Sequence, residues 1–432
     1  MKIGLISPFK KKAATYYTNN SDLSKFFSEN THVPGFFHPN LALLTLAGLT
    51  SDSDQVTLID ERVDTLTFTE QFDLIGISMI TAQANRGYQI AKQFKKLGVY
   101  TVMGGIHPSI CPEEASAYCD TVIIGEAEHT WPQLLDDVKR GNPKKVYRDS
   151  GIDITKSPIP RYELVDISKF HILPIQTTRG CPHDCNFCSV KTVFGPKYRI
   201  KNTSQIIAEI ESIQHIAKNK RIIFNDDNMF VNKKRTKEIL EAIKPYKIKY
   251  FAQTDISIAE DENVLNLLKE SGCVTLFIGF ESLVPENLAS IDKSGWKLKQ
   301  SQTYTEKCKK IQSYGIQILG SFMVGLDYDT RESLLKLKDF VLENNIWAQF
   351  LFVTPFPGTR TRNEFICQGR LSNNNTNWDL YTCFDAVVEP LKMSLHELND
   401  TVLEIYESVY SDIAHRQRTR YMIDQIKSIY TM

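Results

Sequence analysis

Short apolar runs alternate with amphipathic segments along the first third of the chain. The apolar runs are KIGLIS, QVTLID, LIGIS, VYTVMGG and TVIIGE. Between the third and fourth runs, Ala84, Tyr88 and Ala91 recur at helical spacing. Gly98 marks the end of that predicted helix. Strands that alternate with helices are typical of a parallel sheet covered on both faces, so we predict a doubly wound, Rossmann-like α/β domain over residues 1–145.

A second alternation follows a break in the pattern. Residues 146–170 are rich in Gly, Pro and charged residues, which indicates a linker. The next six apolar runs are ILPIQTTRG, RIIFNDD, KYFAQTD, CVTLFIGFES, GIQILGSFMVG and AQFLFVTPFPGT. A closed eight-fold barrel takes about 250 residues and two more units. We therefore predict an incomplete, TIM-like (β/α)6 barrel over residues 171–365 and a mostly helical extension over residues 366–432.

The composition excludes several classes of protein. The 432 residues include 51 Lys and Arg and 51 Asp and Glu, so no global field favours nucleic acid or an anionic membrane. No apolar stretch approaches the roughly 18 residues of a membrane span, and the N-terminus lacks a small-residue cleavage site. The nine cysteines are odd in number and mostly scattered, unlike a secreted disulfide framework. We expect a cytoplasmic protein without a nucleic-acid partner.

The segment TTRGCPHDCNFCSVKTVFG contains three closely spaced cysteines, Cys181, Cys185 and Cys188. In a reducing compartment, such a group indicates a metal or redox site. A structural zinc site needs four ligands, and the sequence supplies only His183 nearby and no second C-x2-C pair. Three thiolates can instead hold a 4Fe-4S cluster, which normally has four cysteine ligands, and so leave one iron open.

The C-x3-C-x2-C run, with Phe187 before its last cysteine, resembles the motif of the radical SAM superfamily. It follows the first predicted barrel strand, where loops at the C-terminal face carry the chemistry. The resemblance implies that Cys181, Cys185 and Cys188 bind a 4Fe-4S cluster whose open iron chelates S-adenosylmethionine (SAM). It also implies that one electron, from a donor such as flavodoxin or ferredoxin, cleaves a carbon–sulfur bond and usually yields a 5′-deoxyadenosyl radical.

Later strand ends match positions that the resemblance assigns to SAM binding. Asp226 and Asp227 end the second barrel strand, Gln253 lies on the third, and Glu281 and Ser282 end the fourth. The other implied contacts are Phe187, Gly320 and Pro355. Acidic residues after a strand are also common as turn residues or helix caps, and Gly320 can equally serve only to relieve packing. Both alternatives stay open.

The N-terminal half resembles the cobalamin-binding domain that precedes the barrel in one large branch of the superfamily. The stretches GISMITAQA, VMGGIHPSICPEEA and VIIGEAEHTWPQLL carry this resemblance, at strand ends where a doubly wound sheet binds ligands. The implied cobalamin contacts are Ser78, Thr81, Gly104, Gly105, Gly125 and Glu126. The cobalt-ligating motif D-x-H-x-x-G is absent, because Asp60 is followed by Arg62 and no histidine. Cobalamin bound without a protein histidine and a cleft that is empty or repurposed are both open alternatives.

The C-terminal stretch resembles the extension of the same branch, which includes enzymes that modify hopanoid lipids. We expect Trp378 and Tyr381 near the barrel mouth, where they either shape a pocket or pack the extension onto the barrel. The resemblance implies an enzyme acting on a small-molecule or lipid substrate. With cobalamin the implied reaction is methyl transfer; without it, rearrangement, ring formation or 3-amino-3-carboxypropyl transfer. An iron–sulfur sensor is a further alternative, disfavoured because no nucleic-acid-binding element is visible.

Overall fold

The computed structural model describes residues 1–9, 18–33, 37–69, 71–149, 151–371 and 377–431. The strands are β1 Lys2–Ser7, β2 Gln55–Asp60, β3 Leu74–Ser78, β4 Tyr100–Gly104, β5 Thr121–Gly125, β6 Val146–Asp149, β7 Ile172–Ile175, β8 Thr178–Arg179, β9 Arg199–Ile200, β10 Arg221–Phe224, β11 Tyr250–Thr254, β12 Cys273–Glu281, β13 Gln317–Val324 and β14 Trp347–Phe352.

The α-helices lie between these strands and after them. They are α1 Ser21–Glu29, α2 Leu41–Gly48, α3 Ala84–Lys96, α4 Ile106–Ile110, α5 Pro112–Ser116, α6 Thr130–Lys139, α7 Val190–Phe194, α8 Thr203–Ile216, α9 Lys233–Ile243, α10 Glu262–Ser271, α11 Pro285–Ile291, α12 Trp296–Ser301, α13 Tyr304–Gln312, α14 Arg331–Glu343, α15 Arg360–Cys367, α16 Leu395–Val409 and α17 Asp412–Thr431. Among the described helices, none combines the length and apolar character that crossing a membrane requires.

The N-terminal sheet has six parallel strands in the order β2-β1-β3-β4-β5-β6. Every residue of the central strand β3 is buried, because one face packs against Ala91 and Phe94 of α3 and the other against Trp131 of α6. The two hydrophobic clusters confirm the predicted doubly wound fold. Strand β6 lies within residues 146–170, the predicted linker, and pairs with β5, so the sheet extends into that segment. The domain boundaries themselves remain predictions.

The second sheet is also six-stranded and parallel, in the order β14-β13-β12-β11-β10-β7. From β7 at one edge to β14 at the other, the strands of this sheet lie in chain order, and helices separate successive strands. In the described part of the chain, β7 and β14 each have a strand partner on one side only, so the barrel stays open between them. This arrangement confirms the prediction of an incomplete barrel with six β/α units.

The helical extension covers the free edge of the barrel sheet. Two tyrosines of the extension hydrogen-bond to the edge strand β14. The Tyr406 hydroxyl accepts from the Phe350 amide at 3.0 Å and lies 3.1 Å from the Phe350 carbonyl oxygen. Tyr410 contacts the amide and carbonyl of Ala348 in the same way, at 3.2 and 2.5 Å. Side chains thus replace a missing strand neighbour and protect this edge from pairing with another chain.

Candidate active site

The three motif cysteines lie in the loop between β8 and α7, and all nine cysteines of the chain are free thiols. Cys181, Cys185 and Cys188 are half-buried, and the pKa of each thiol is raised to about 11, mainly by burial. The charge of another of the three thiols contributes to each shift, so the three lie near one another.

The set of donors in this loop distinguishes a cluster from a structural zinc ion. A closed zinc site needs four protein ligands, and the loop supplies three thiols. The nearby His183 instead lies 3.5 Å from an Asp255 oxygen, with its ring beside Trp296. Three thiols fit a 4Fe-4S cluster with one iron free of protein ligands.

Asp226 fixes the segment that leads into the cysteine loop. Its buried carboxylate accepts the Thr177 amide at 2.7 Å and the hydroxyls of Thr177 and Thr178 at 3.0 and 2.9 Å. The Thr178 amide donates to it as well. These four donors show that Asp226 positions the backbone just before Cys181, and its contact with SAM stays a prediction.

The neighbouring Asp227 has a different environment. Within the described part of the chain, its carboxylate accepts one hydrogen bond, from the Gly180 amide to Oδ2 at 3.2 Å, and its charge raises the pKa of Cys181 and Cys188. Burial raises the pKa of Asp227 itself to about 6. Gly180 has φ +90°, and a Cβ there would lie 2.5 Å from the Lys197 carbonyl oxygen, so this turn requires glycine. Asp227 therefore borders the thiols with most of its acceptor capacity available.

Glu281 and Lys297 form a buried ion pair on the other side of the cysteines. Glu281 Oε1 lies 3.0 Å from Lys297 Nζ, and both charges act on the Cys185 thiol. Burial opposes the charge of Lys297, but Glu281 and Cys185 raise its pKa overall. Glu281 has φ +66°, a left-handed conformation that costs a non-glycine residue roughly 1–2 kcal/mol. Ser282 is turned away from this pair, and its hydroxyl accepts the Val284 amide at 3.0 Å.

Gly320 faces the helices, not the barrel lumen. Its neighbour Leu319 lines a cavity inside the barrel, and successive residues of a strand point to opposite faces. A Cβ on Gly320 would lie 2.8 Å from the Phe322 ring and 3.1 Å from the Phe280 ring. These two rings stack at 5.2 Å. This position favours the packing alternative for Gly320, and its contact with SAM stays a prediction.

The remaining predicted SAM contacts surround the cysteine loop or the lumen. Phe187 packs on the cluster that contains Leu288. The Pro355 carbonyl accepts from Arg362 Nη1 at 3.1 Å, in the element that lies beside α7. Gln253 lines a cavity inside the barrel. The structure thus brings Phe187 and Pro355 to the loop and places Gln253 deeper.

In the N-terminal domain, four predicted contacts lie together at the carboxyl edge of the sheet. Ser78 of β3 is paired with Gly104 of β4, and Thr81 begins the following helical turn. Gly105 has φ +94°, and a Cβ there would lie 2.9 Å from the backbone of Met79. Only glycine allows this close approach, in which the Met79 amide donates to the Gly104 carbonyl at 3.2 Å and the His107 amide to the Met79 carbonyl at 3.2 Å.

Glu126, which follows Gly125 at the end of β5, connects this domain to the barrel. The Glu126 carboxylate accepts from Arg179 Nη1 and Arg199 Nη1, each at 2.5 Å, and from the amides of Gly151 and Ile152. The buried carboxylate is engaged in protein contacts, and the cobalamin contacts of Gly125 and Glu126 stay predictions. Arg179, two residues before Cys181, also pairs with Glu128 at 2.5 Å. The loop after β5 is therefore tied to the cysteine loop.

Trp378 and Tyr381 pack against the N-terminal domain and belong to its core cluster. Trp378 Nε1 donates to Glu114 Oε1 at 2.8 Å, and its ring lies 5.1 Å from that of His107. His107 is fully buried, with Nε2 3.0 Å from the Tyr88 hydroxyl. The two aromatics also contact the segment after the sixth barrel strand: the Tyr381 hydroxyl accepts from Arg362 Nη1 at 2.7 Å, and the Arg362 guanidinium lies over both rings. The extension thus packs against the first domain and the barrel together.

Comparison with known proteins agrees with this architecture. Residues 175–341 match the model of the radical SAM superfamily, and residues 30–135 match that of the B12 binding domain. The bacteriochlorophyllide d C-12(1)-methyltransferase of Chlorobaculum tepidum is 31% identical over 88% of this chain and 84% of its own length. The chain belongs to the radical SAM superfamily. It is a member of the branch with an N-terminal B12-binding domain, which confirms both predicted resemblances.

Two further relatives of this radical SAM enzyme are informative. The hopanoid C-2 methylase of Rhodopseudomonas palustris is 27% identical over 89% of this chain and 75% of its own length. The structure of the radical S-adenosylmethionine methyltransferase TsrM from Kitasatospora setae, with cobalamin and a [4Fe-4S] cluster bound, has a TM-score of 0.64. It is 16% identical and covers 85% of this chain and 75% of that chain, which shows the shared fold.

Two charged residues of the site escaped the sequence analysis. Lys297 lies in a short helix, and lysines on helices are usually solvated, so nothing in the local pattern marks it as buried. Arg179 directly precedes the motif, but its partners are about 50 residues away in another domain. A buried charge beside a functional motif is the signal that could have identified Arg179, since it needs a partner.

Proposed function

We propose that this radical SAM enzyme transfers a methyl group to an unactivated carbon or phosphorus of a small-molecule or lipid substrate, with cobalamin as the methyl carrier. The observation that carries this proposal is the direct connection between two sites. The loop after β5, beside the predicted cobalamin cleft, is joined through Glu126 and Arg179 to the segment preceding Cys181. The relatives named as methyltransferases support the same reaction class.

The proposed cluster ligands are Cys181, Cys185 and Cys188. Loaded with SAM, the cluster would supply reductive cleavage of a carbon–sulfur bond. The chain's own contribution is electrostatic: the Lys297 ammonium suits the SAM carboxylate, and the carboxylates of Asp227 and Glu281 suit its amino group or ribose hydroxyls. The partly buried setting excludes water and strengthens these interactions.

The proposed cobalamin cleft is shaped by backbone more than by side chains. Gly105 and Gly125 let their loops approach the backbone of Met79 and Asp149 closely, which sets the course of the chain at this edge, and Ser78 and Thr81 add hydroxyl groups at the same edge. Arg62 pairs with Asp60 where the absent motif would place a histidine, so the proposal requires no imidazole ligand to cobalt from that loop. When bound, cobalamin would supply the transferable methyl group.

The proposal includes the partner and the setting. A one-electron donor such as flavodoxin or ferredoxin would provide the electron for SAM cleavage. Nine free thiols and an iron–sulfur cluster suit a reducing compartment, and we propose the cytoplasm. Neither assignment is needed for the assay below, where dithionite replaces the donor.

The test is anaerobic expression with and without cobalamin, followed by iron and cobalt analysis and product analysis with SAM and dithionite. We expect cobalt in the loaded protein, S-adenosylhomocysteine as the product of methyl donation, and 5′-deoxyadenosine. A cobalt-free enzyme with full activity would refute the methyltransferase reading. Methylthioadenosine as the main product would indicate 3-amino-3-carboxypropyl transfer instead.

A further inference from the structure

The barrel contains a cavity that the proposed cluster and cobalamin sites leave unused. It has a volume of ≈ 200 Å³ and lies among β10, β11, β12 and β14. The polar lining residues are Gln253, Thr275 and Gln349 on the strands, Asn225 directly after β10 and His38 in the loop before α2. Its apolar lining includes two aromatic rings. None of its described lining residues is Asp, Glu, Lys or Arg.

His38 brings a nitrogen of defined character to this cavity. Its Nδ1 lies 2.9 Å from the Pro39 carbonyl oxygen, which can only accept, so Nδ1 carries the hydrogen. Nε2 is therefore an acceptor. Burial and the nearby Arg62 lower the pKa of His38, which keeps the ring neutral near neutral pH. Arg62 Nη2 also donates to the His38 carbonyl at 2.7 Å and anchors this residue.

Four of the polar side chains lack protein partners. Among the described residues, the side-chain amides of Asn225, Gln253 and Gln349 make no hydrogen bond, and neither does His38 Nε2. The fifth polar residue, Thr275, donates its hydroxyl to Gln317 Oε1 at 3.4 Å. All four side chains are half-buried. Polar side chains that converge on a cavity without partners are satisfied by water or by a ligand. These four side chains come from four separate chain segments, which favours a preformed ligand site.

The lining restricts the chemistry of that ligand. A carboxylate or ammonium group would be buried without an opposite charge, at a high cost. A cavity of about 150 Å³ can hold benzene, so ≈ 200 Å³ accommodates one substituted six-membered ring. Phe277 supplies flat apolar surface for such a ring. His38 Nε2 selects a ligand that donates an N–H or O–H.

We propose that this cavity binds an uncharged ring of the substrate that donates an N–H or O–H to His38 Nε2, while the three amides bind its other polar groups. The inference rests on the proposed function, because it identifies part of that enzyme's substrate. Phe277 pairs with Gln253, and Glu281 lies four residues farther along β12, roughly 13 Å away. The reacting atom therefore belongs to a substrate portion that extends from this ring toward the strand ends.

The experiment measures binding of three single-ring probes to the cluster- and cobalamin-loaded enzyme by ligand-detected NMR. Phenol has the donor, anisole has it blocked by a methyl group, and benzoate carries a charge. We expect phenol to bind about five- to tenfold more tightly than anisole, the value of one hydrogen bond, and benzoate to bind least. His38→Phe keeps a ring but lacks the acceptor, so phenol and anisole should bind it equally. The matched control is His396→Phe, at an exposed histidine of α16, which should keep the preference.

Gln349→Leu provides a second test if His38→Phe does not fold. It should weaken phenol binding, and benzoate should still bind least. Equal binding of phenol and anisole to the unaltered protein would overturn the inference. So would a preference that survives in His38→Phe, or no binding of any probe, which would mean that the cavity holds only water. Iron, cobalt and SAM-product analysis on the same samples separates the two proposals. Loss of methyl transfer with intact phenol selectivity would count against the proposed function alone.

Discussion

The two ligand edges of this enzyme are built in different ways. The N-terminal edge is shaped by backbone, with Gly105 and Gly125 in conformations that only glycine adopts easily. The barrel edge is shaped by charge, with Asp227, Glu281 and Lys297 around the thiols. A backbone cleft can accept a large macrocycle by shape, whereas fixed charges suit a small zwitterion such as SAM. The contrast matches the predicted roles of the two domains, which are cobalamin binding in the first domain and SAM binding in the barrel.

A similar contrast divides two adjacent carboxylates of the barrel edge. Asp226 receives four donors from the segment before the cysteines, and Asp227 receives one. Charge at this edge therefore serves two purposes, namely to hold the loop and to face its ligand. The ion network of Glu126 and Arg179 extends the first purpose across the domain boundary.

The largest effect is expected from Cys185→Ala. Two thiolates hold a 4Fe-4S cluster poorly, so cluster absorbance, iron content and turnover should be lost together. The matched control is Cys367→Ala, at an exposed thiol that ends α15, which should retain all three. A brown, active Cys185→Ala protein would contradict the assignment of the barrel edge.

Glu126→Gln tests whether the ion pairs of Glu126 connect the N-terminal domain to the barrel. The variant leaves Arg199 and part of Arg179 buried without an opposite charge, which should lower the free energy of unfolding by about 3–5 kcal/mol. Urea unfolding of the apoprotein measures this change. Glu163→Gln removes a half-exposed pair with Arg161 and should cost less than about 1 kcal/mol. An equal loss of unfolding free energy in the two variants would mean that the Glu126 network does not stabilise the connection between the first domain and the barrel.

The structure of the barrel edge shows which features a sequence can predict. The six strands and the cysteine motif depend on local pattern, and both are found. The roles of Asp226 and Gly320 depend on partners in other segments, so local sequence left each with two interpretations. Lys297 and His38 carry no pattern at all, because a single charged or ring residue is marked as functional only by what the fold places around it.

Lowering the pH tests how buried, neutral His107 contributes to the packing behind the N-terminal edge. Burial, followed by the charge of Arg362, lowers the pKa of this histidine from 6.5 to about 4. The folded state therefore resists protonation, and the stability that neutral His107 contributes is complete above pH 6.5 and lost as the pH falls to about 4. The loss amounts to about 3 kcal/mol. Urea unfolding at several pH values should show this slope in the unaltered protein and a shallower one in His107→Gln.

The smallest expected effect concerns the close backbone approach at Gly125. In Gly125→Ala, the left-handed φ of +85° is strained, and the new Cβ would lie 1.9 Å from the Asp149 carbonyl oxygen. Gly98→Ala, the matched control, has a similar φ of +77° but no atom within 4 Å. Strain is common to both, so the difference in unfolding free energy, about 2 kcal/mol, reports the close approach alone. Cobalamin titration followed by absorbance should show weakened binding only in Gly125→Ala. If both variants bind cobalamin like the unaltered protein, the shape of this turn does not define the cleft, and side chains such as Ser78 and Thr81 must carry the recognition.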